Sequence, residues 1–159
     1  MHPKRVTVSC GFCSRGIIGP FFFENEQEEA VTVNGNCYRA KLNEFLFIKI
    51  EEEDIDNIWF QQDGATCHTA EAILNVLRSV FEDCIISSRA DVVWPPRSSN
   101  LTPLDYLLWG AVKDKCYADK PETIDALKDY TREGIGCTQS IMCLKIGPCR
   151  LLHVQPKFE

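Results

Sequence analysis

The sequence predicts an α/β domain. Short runs rich in β-branched and aromatic residues, such as Val6-Thr7-Val8 and Ile58-Trp59-Phe60, alternate with longer stretches whose apolar residues recur at helical spacing. Hydrophobic residues make up 45% of the chain and charged residues 25%, a globular balance and not a disordered one. At 159 residues this is one domain's worth of chain, long enough for a sizeable core.

Arg5 to Cys10 alternates and predicts a strand; Gly11 to Gly16 supplies turn residues, and Ile17 to Glu24 predicts the second strand of a hairpin. Val31 to Gly35 reads as a short extended piece ending in a turn. Tyr38, Leu42, Phe45, Leu46 and Ile50 form a helical stripe, with Asn36 as its expected N-cap. The acidic run Glu51 to Asp54 is expected in solvent. Asn57 to Gln62 predicts a strand that delivers Asp63 at its C-terminal end, where ligand sites gather in sheets with parallel strands.

Ala70 to Phe81 carries the clearest helical pattern, with Ile73, Val76, Leu77 and Val80 inward and Thr69 as candidate cap. Asp91 to Trp94 predicts a short strand. The prolines of Pro95-Pro96-Arg97-Ser98-Ser99-Asn100 exclude a helix there. A helix follows from Pro103 to about Tyr117, with Leu104, Leu107, Leu108, Ala111 and Val112 on one face. Pro121-Glu122 opens a last helix to about Glu133, with Ile124, Leu127 and Tyr130 inward. After Gly136 the character changes: residues 137–159 hold three cysteines, one acid at the very end, and no sustained period.

The net charge of −6 argues against a self-sufficient nucleic-acid-binding module, which carries a basic face. It leaves room for a nuclease-like site whose acids are neutralised by metal. No stretch is long and apolar enough to span a bilayer, and Met1-His2-Pro3-Lys4-Arg5 is not followed by a secretory hydrophobic core, so no membrane partner is expected and the default is an intracellular protein. Nine cysteines cannot all pair. Cys10-Gly11-Phe12-Cys13 is either a redox pair, half a zinc site, or two unrelated buried thiols. No second Cys or His pair at zinc-ligand spacing answers it, and the following residues predict a turn into a strand where a redox motif wants a helix.

Two acids stand out. Asp63 ends a predicted strand, and Asp105 lies one turn into a well-signalled helix. Brought together by folding, they could hold Mg²⁺ or Mn²⁺ for phosphodiester chemistry, because hard cations prefer oxygen ligands and can activate the nucleophile and stabilise the leaving oxygen. Each also has a purely structural reading: Asp63-Gly64 is a turn dipeptide, and Thr102-Pro103-Leu104-Asp105 is a capping signature. His68 could orient a metal-bound water or a DNA phosphate, or simply hold a turn. Arg97 could reach a DNA phosphate from its stiff segment, or belong to a rigid connector.

Gln62-Asp63-Gly64-Ala65-x-x-His68, followed by Trp94-Pro95-Pro96-x-Ser98-x-x-Leu101-x-Pro103-x-Asp105-x-x-Leu108-Trp109, resembles the catalytic domain of Tc1/mariner-type transposases. The resemblance covers about residues 2–136. It implies an RNase H-like (ribonuclease H superfamily) mixed sheet with helices, and cutting and joining of DNA by three acids (DDE or DDD) and two divalent metals. Asp63 matches the second acid, and Asp105 the third in the version that uses Asp. The implied partner is transposon-end DNA and the implied location the nucleus. The match departs at Asn100, where the family usually has Asp, and at Ser9 and Cys13, near which members typically carry Trp.

The resemblance also implies an absence. The family's domain starts with a central strand bearing the first acid, and this chain is expected to begin just after it, without the family's N-terminal helix-turn-helix. Two acids alone make a poor two-metal site. Loss of a central strand would leave its two neighbours unpaired, exposing edges that favour a homo-oligomer. The expectation is therefore a partial catalytic domain over residues 1–136, inactive as it stands, with residues 137–159 an atypical tail of frame-shifted character. Two rivals remain: a non-catalytic nucleic-acid-binding or interaction protein derived from such a domain, and a small zinc or redox protein using Cys10 and Cys13.

Overall fold

A computed structural model describes residues 5–13, 16–52, 55, 58–90, 92–93, 103–142, 150–154 and 157–158. The strands are β1 (Val6–Cys13), β2 (Gly16–Phe22), β3 (Trp59–Gln62), β4 (Ile85–Ser87), β5 (Val92–Val93), β6 (Arg150–Val154) and β7 (Lys157–Phe158). They form one mixed sheet in the order β2-β1-β6-β3-β4-β5, with β7 pairing the first residues of β1. β1 is antiparallel to β2 and to β6, whereas β6, β3, β4 and β5 run parallel. The α/β class holds.

All eight residues of β1 are buried, as in a strand covered on both faces. Alternation sends Val6, Val8, Cys10 and Phe12 into one core with Leu108, Trp109, Val112, Leu127 and Ile135. Cys13, together with Ile18, Phe60 and Ile85, faces a second core with Tyr38, Leu42, Leu46, Ile73, Leu74 and Leu77. Helices therefore cover both sides of the sheet: α4 (Pro103–Asp119) and α5 (Ile124–Met142) on one, the N-terminal helices and α3 (Glu71–Phe81) on the other.

The hairpin is tighter than its turn residues suggest. β1 runs through Cys13, not turning at Gly11, because a register shift between Ser9 and Gly11 lets Gly11, Phe12 and Cys13 pair with Ile18, Ile17 and Gly16. Gly16 closes the turn at φ 140°, a conformation other residues rarely adopt.

The 38–50 stripe lies on α1 (Gly35–Lys41), a π-helical turn (Leu42–Leu46) and α2 (Phe47–Glu52). Its cap is Asn34 and not Asn36: the Asn34 side chain accepts from the backbone N–H groups of Asn36 at 2.9 Å and Cys37 at 3.0 Å. The buried residues Tyr38, Leu42, Leu46 and Ile50 recur every four positions, which drifts by roughly 40° per step on a regular α-helix. The wider π turn offsets that drift and keeps the stripe on the sheet.

On α3 the inward face is Ile73, Leu74, Leu77 and Phe81, whereas Val80 is 44% exposed and Val76 half-buried. Both sets satisfy helical spacing. The larger Leu74 and Phe81 bury more area, and Phe81 stacks on Phe60 at 5.0 Å. Thr69 does not cap: Ala70 is the N-cap residue, and the Thr69 hydroxyl instead donates to the Ala65 carbonyl at 3.3 Å. β4, which pairs β3 and β5, has no signal in the sequence because three residues carry no measurable period.

α4 buries Leu108, Trp109, Val112 and Cys116; Ala111 is exposed. α5 begins under the Thr123 hydroxyl, which accepts from the Ala126 N–H at 3.1 Å, and it continues nine residues past the expected end at Glu133, to Met142. Gly134 permits close helix contact, since a Cβ there would lie 3.1 Å from the Val112 side chain. Among the described residues of the tail, 150–154 and 157–158 form β6 and β7. β6 pairs both β1 and β3, the two strands expected to stand open, so neither is an exposed edge.

Candidate functional site

Asp63 follows the last residue of β3, at the C-terminal end of the parallel strands, as its position after an apolar run predicts. Its Oδ1 accepts from the Ala65 N–H at 3.1 Å, an Asx-type turn, and from His68 Nδ1 in a very short contact. Burial alone would push the Asp63 carboxyl up. The His68 hydrogen bond, the His68 charge and the Ala65 N–H outweigh that and hold it below the ordinary carboxylate range. An ionised carboxylate only accepts, so the proton in the contact sits on Nδ1. Oδ2 takes no hydrogen bond from the described residues, and the side chain is 44% exposed. One oxygen is anchored and the other is offered outward. This is the donor type that Mg²⁺ or Mn²⁺ prefers.

His68 is fully buried: it reaches Asp63, and its ring lies 4.2 Å from the Tyr38 ring, tilted by 34°. Its backbone is held as well, its N–H donating to the Ala65 carbonyl at 2.9 Å and its carbonyl accepting from Gln62 Nε2 at 2.9 Å. Gln62 Nε2 also lies 3.3 Å from the Ser87 hydroxyl of β4, while Gln62 Oε1 accepts from the Tyr38 hydroxyl at 3.0 Å. Burial first, then the charges of Asp63 and Cys67, raise the Tyr38 phenol well above its ordinary range, so it stays a donor. In the sequence Tyr38 is one more member of an apolar stripe, and only its hydroxyl, the one polar atom in that stripe, signals a second task.

Beneath this network Lys41 is buried at 1% exposure, its Nζ donating to the Ser9 hydroxyl at 2.8 Å and lying 5.4 Å from the Tyr38 ring centre. Burial lowers its pKa from 10.5 to about 7, against the opposing influence of Cys10. Nothing in the local pattern marks a lysine between Tyr38 and Leu42 as interior.

Asp105 occupies the first turn of α4, where the capping pattern put it; its side chain lies outside the described residues. Arg97 and Asn100 fall in residues 94–100, also outside them. Glu51 and Glu52 are exposed, Glu52 pairing Lys49 at 2.5 Å. Among the described residues there is no group of three or more His, Cys, Asp or Glu side chains that could hold a metal, and no helix long and apolar enough to cross a membrane.

Cys10 and Cys13 point into the two different cores, on opposite faces of β1. They cannot meet on one metal or in one disulfide, which removes the zinc and redox rival as a use of this pair. Burial pushes the Cys10 thiol to about 12, against the opposing charge of Lys41. In the folded protein at neutral pH, iodoacetamide should label the exposed Cys137 while Cys10 and Cys13 react only after denaturation, as read by mass spectrometry. Rapid labelling of Cys10 would contradict the buried β1.

No protein-family model matches this sequence, and no curated protein does.

Proposed function

We propose that the chain is the remnant of a cut-and-paste DNA transposase catalytic domain of the Tc1/mariner type, built on an RNase H-like sheet and inactive as it stands. Support comes from the Asp63 carboxylate, which is ionised, anchored through one oxygen, half exposed, and set at the C-terminal end of a parallel strand. Support also comes from the mixed sheet, in which an antiparallel hairpin and the parallel strands β3, β4 and β5 are covered by helices on both faces. Asp63 and Asp105 would hold Mg²⁺ or Mn²⁺, which when bound supplies charge neutralisation for attack on a DNA phosphodiester. His68 serves by holding Asp63, and Arg97 is left as the candidate phosphate contact. Transposon-end DNA, a homo-oligomer and a nuclear site of action follow from the same reading.

Purified protein is expected to bind Mn²⁺ weakly and to leave supercoiled DNA uncut. Asp63→Asn should weaken Mn²⁺ binding by more than the roughly 10–100-fold that loss of an outer-shell partner costs. DNA cleavage by the protein that disappears in Asp63→Asn would sink the claim of inactivity; Mn²⁺ binding indifferent to Asp63→Asn would sink the site.

A second reading has an observation of its own. The strand that occupies the central position, Arg150-Leu151-Leu152-His153-Val154, contains no carboxylate, so the sheet is completed without a third acid. That favours a folded, non-catalytic nucleic-acid-binding or interaction protein. Salt-sensitive DNA binding without cleavage, unchanged in Asp63→Asn, would select it.

A further inference from the structure

We propose that Tyr38 is the positioning residue of the Asp63 site, fixing the histidine that fixes the carboxylate. The inference rests on the reading of Asp63 as a metal ligand and adds a residue from a distant helix to it. Tyr38 grips His68 twice. Its ring lies against the imidazole at 4.2 Å, tilted by 34°, and its hydroxyl reaches the His68 main chain through Gln62.

The second grip depends on amide polarity. Because the Tyr38 hydroxyl donates to Gln62 Oε1, the Nε2 end is the one left to face the His68 carbonyl and the Ser87 hydroxyl. Without the hydroxyl, Oε1 is a buried acceptor lacking that donor. An amide flip would then set oxygen against the His68 carbonyl oxygen, so Gln62 would hold His68 less firmly in either orientation. Tyr38, Gln62, His68 and Ser87 are all buried, so water does not substitute cheaply. The network ties α1, β3, β4 and the 63–69 loop together at the point where Asp63 Oδ2 is left open. A carboxylate held in one orientation binds a cation without first losing rotational freedom, which is what positioning contributes here.

The test uses the 159-residue chain without added metal and then with Mn²⁺. The His68 Nδ1–H proton, read by ¹H–¹⁵N NMR in the metal-free protein, reports the Asp63 contact directly. Tyr38→Phe keeps the ring and should speed exchange of that proton by about fivefold, the equivalent of one buried hydrogen bond. Tyr38→Leu should abolish the signal, and Mn²⁺ affinity measured by electron paramagnetic resonance should fall in the same order. An unchanged Nδ1–H signal in folded Tyr38→Phe overturns the inference. Should Tyr38→Phe not fold, Gln62→Met removes the same acceptor and carries the same expectation. Should neither fold, the wild-type spectrum decides: a slowly exchanging Tyr38 hydroxyl proton close to the Gln62 amide is required, and its absence overturns the inference. Wild-type protein that binds no Mn²⁺ while His68 still responds to Tyr38→Phe would remove the metal reading alone. Mn²⁺ binding that depends on Asp63 but ignores Tyr38 would remove this inference alone.

Discussion

A chain ending at Met142 is expected to lose cooperative folding. β6 is the strand that joins the two halves of the sheet. Cys10, Gly11 and Phe12 pair with Val154, His153 and Leu152 on one side, and Trp59, Phe60, Gln61 and Gln62 pair with Arg150, Leu151, Leu152 and His153 on the other. Its removal leaves β1 and β3 with unsatisfied backbone groups facing each other across the width of a strand. Each buried group left without a partner costs about 1–3 kcal/mol, and a domain holds only about 5–15 kcal/mol in all. The two exposed edges also invite association.

Thermal unfolding followed by circular dichroism, with sedimentation for the state of association, checks this. The shortened chain should show no sharp transition and should self-associate. A milder version is Leu152→Pro, which deletes one donor in the middle of an interior strand and should cost at least about 3 kcal/mol. A monomeric 1–142 chain that melts like the full protein would show that residues 150–154 contribute nothing to the sheet.

Lys41→Met is expected to stabilise the protein at neutral pH, unusual for a substitution in a core. At about 1.4 kcal/mol for each pH unit, moving the lysine from 10.5 to about 7 costs the folded state up to about 5 kcal/mol. Methionine fills a similar volume without a charge to desolvate, but the Ser9 hydroxyl then loses its 2.8 Å donor. The net gain expected is on the order of 2 kcal/mol.

The pH dependence gives a sharper test. Above about pH 7 the unfolded chain carries a proton on Lys41 that the folded chain lacks, so stability rises with pH, while below about 7 both forms are protonated and the contribution is flat. Cys10, raised from 9.0 to about 12, works in the opposite direction above pH 9, so the clean window is pH 7 to 9. Across it the wild type should gain about 2–3 kcal/mol in urea unfolding, and Lys41→Met should lack that slope. A wild-type stability flat over this window, or a Lys41→Met protein less stable at pH 7, would contradict a buried neutral lysine.

Much of the frame is legible locally because burial of one face imposes a period on the chain. The α3 pattern, the 38–50 stripe, the Pro103 helix start and the apolar run before Asp63 each announce an element within a dozen residues, and each is there. What blurs is rotation within an element: Ile73-Leu74 and Val76-Leu77 fit helical spacing equally, and side-chain size against the sheet selects the face. Asp63 is similarly visible as a strand-end acid. That His68 is buried against it depends on Tyr38 and Gln62 closing over the imidazole.

Sequence by itself determined the α/β alternation, the places of the main helices, and the position of Asp63 at the end of a strand. Tertiary structure alone decided which strand fills the middle of the sheet, which faces Cys10 and Cys13 take, and that Lys41 is interior. The physical reason is separation along the chain. Pairing of β6 with β3 joins residues about ninety positions apart through backbone hydrogen bonds, which any sequence can make and which leave no local period to read. Burial of a lysine likewise depends on what the opposite strand offers, here the Ser9 hydroxyl, and not on the lysine's own neighbours.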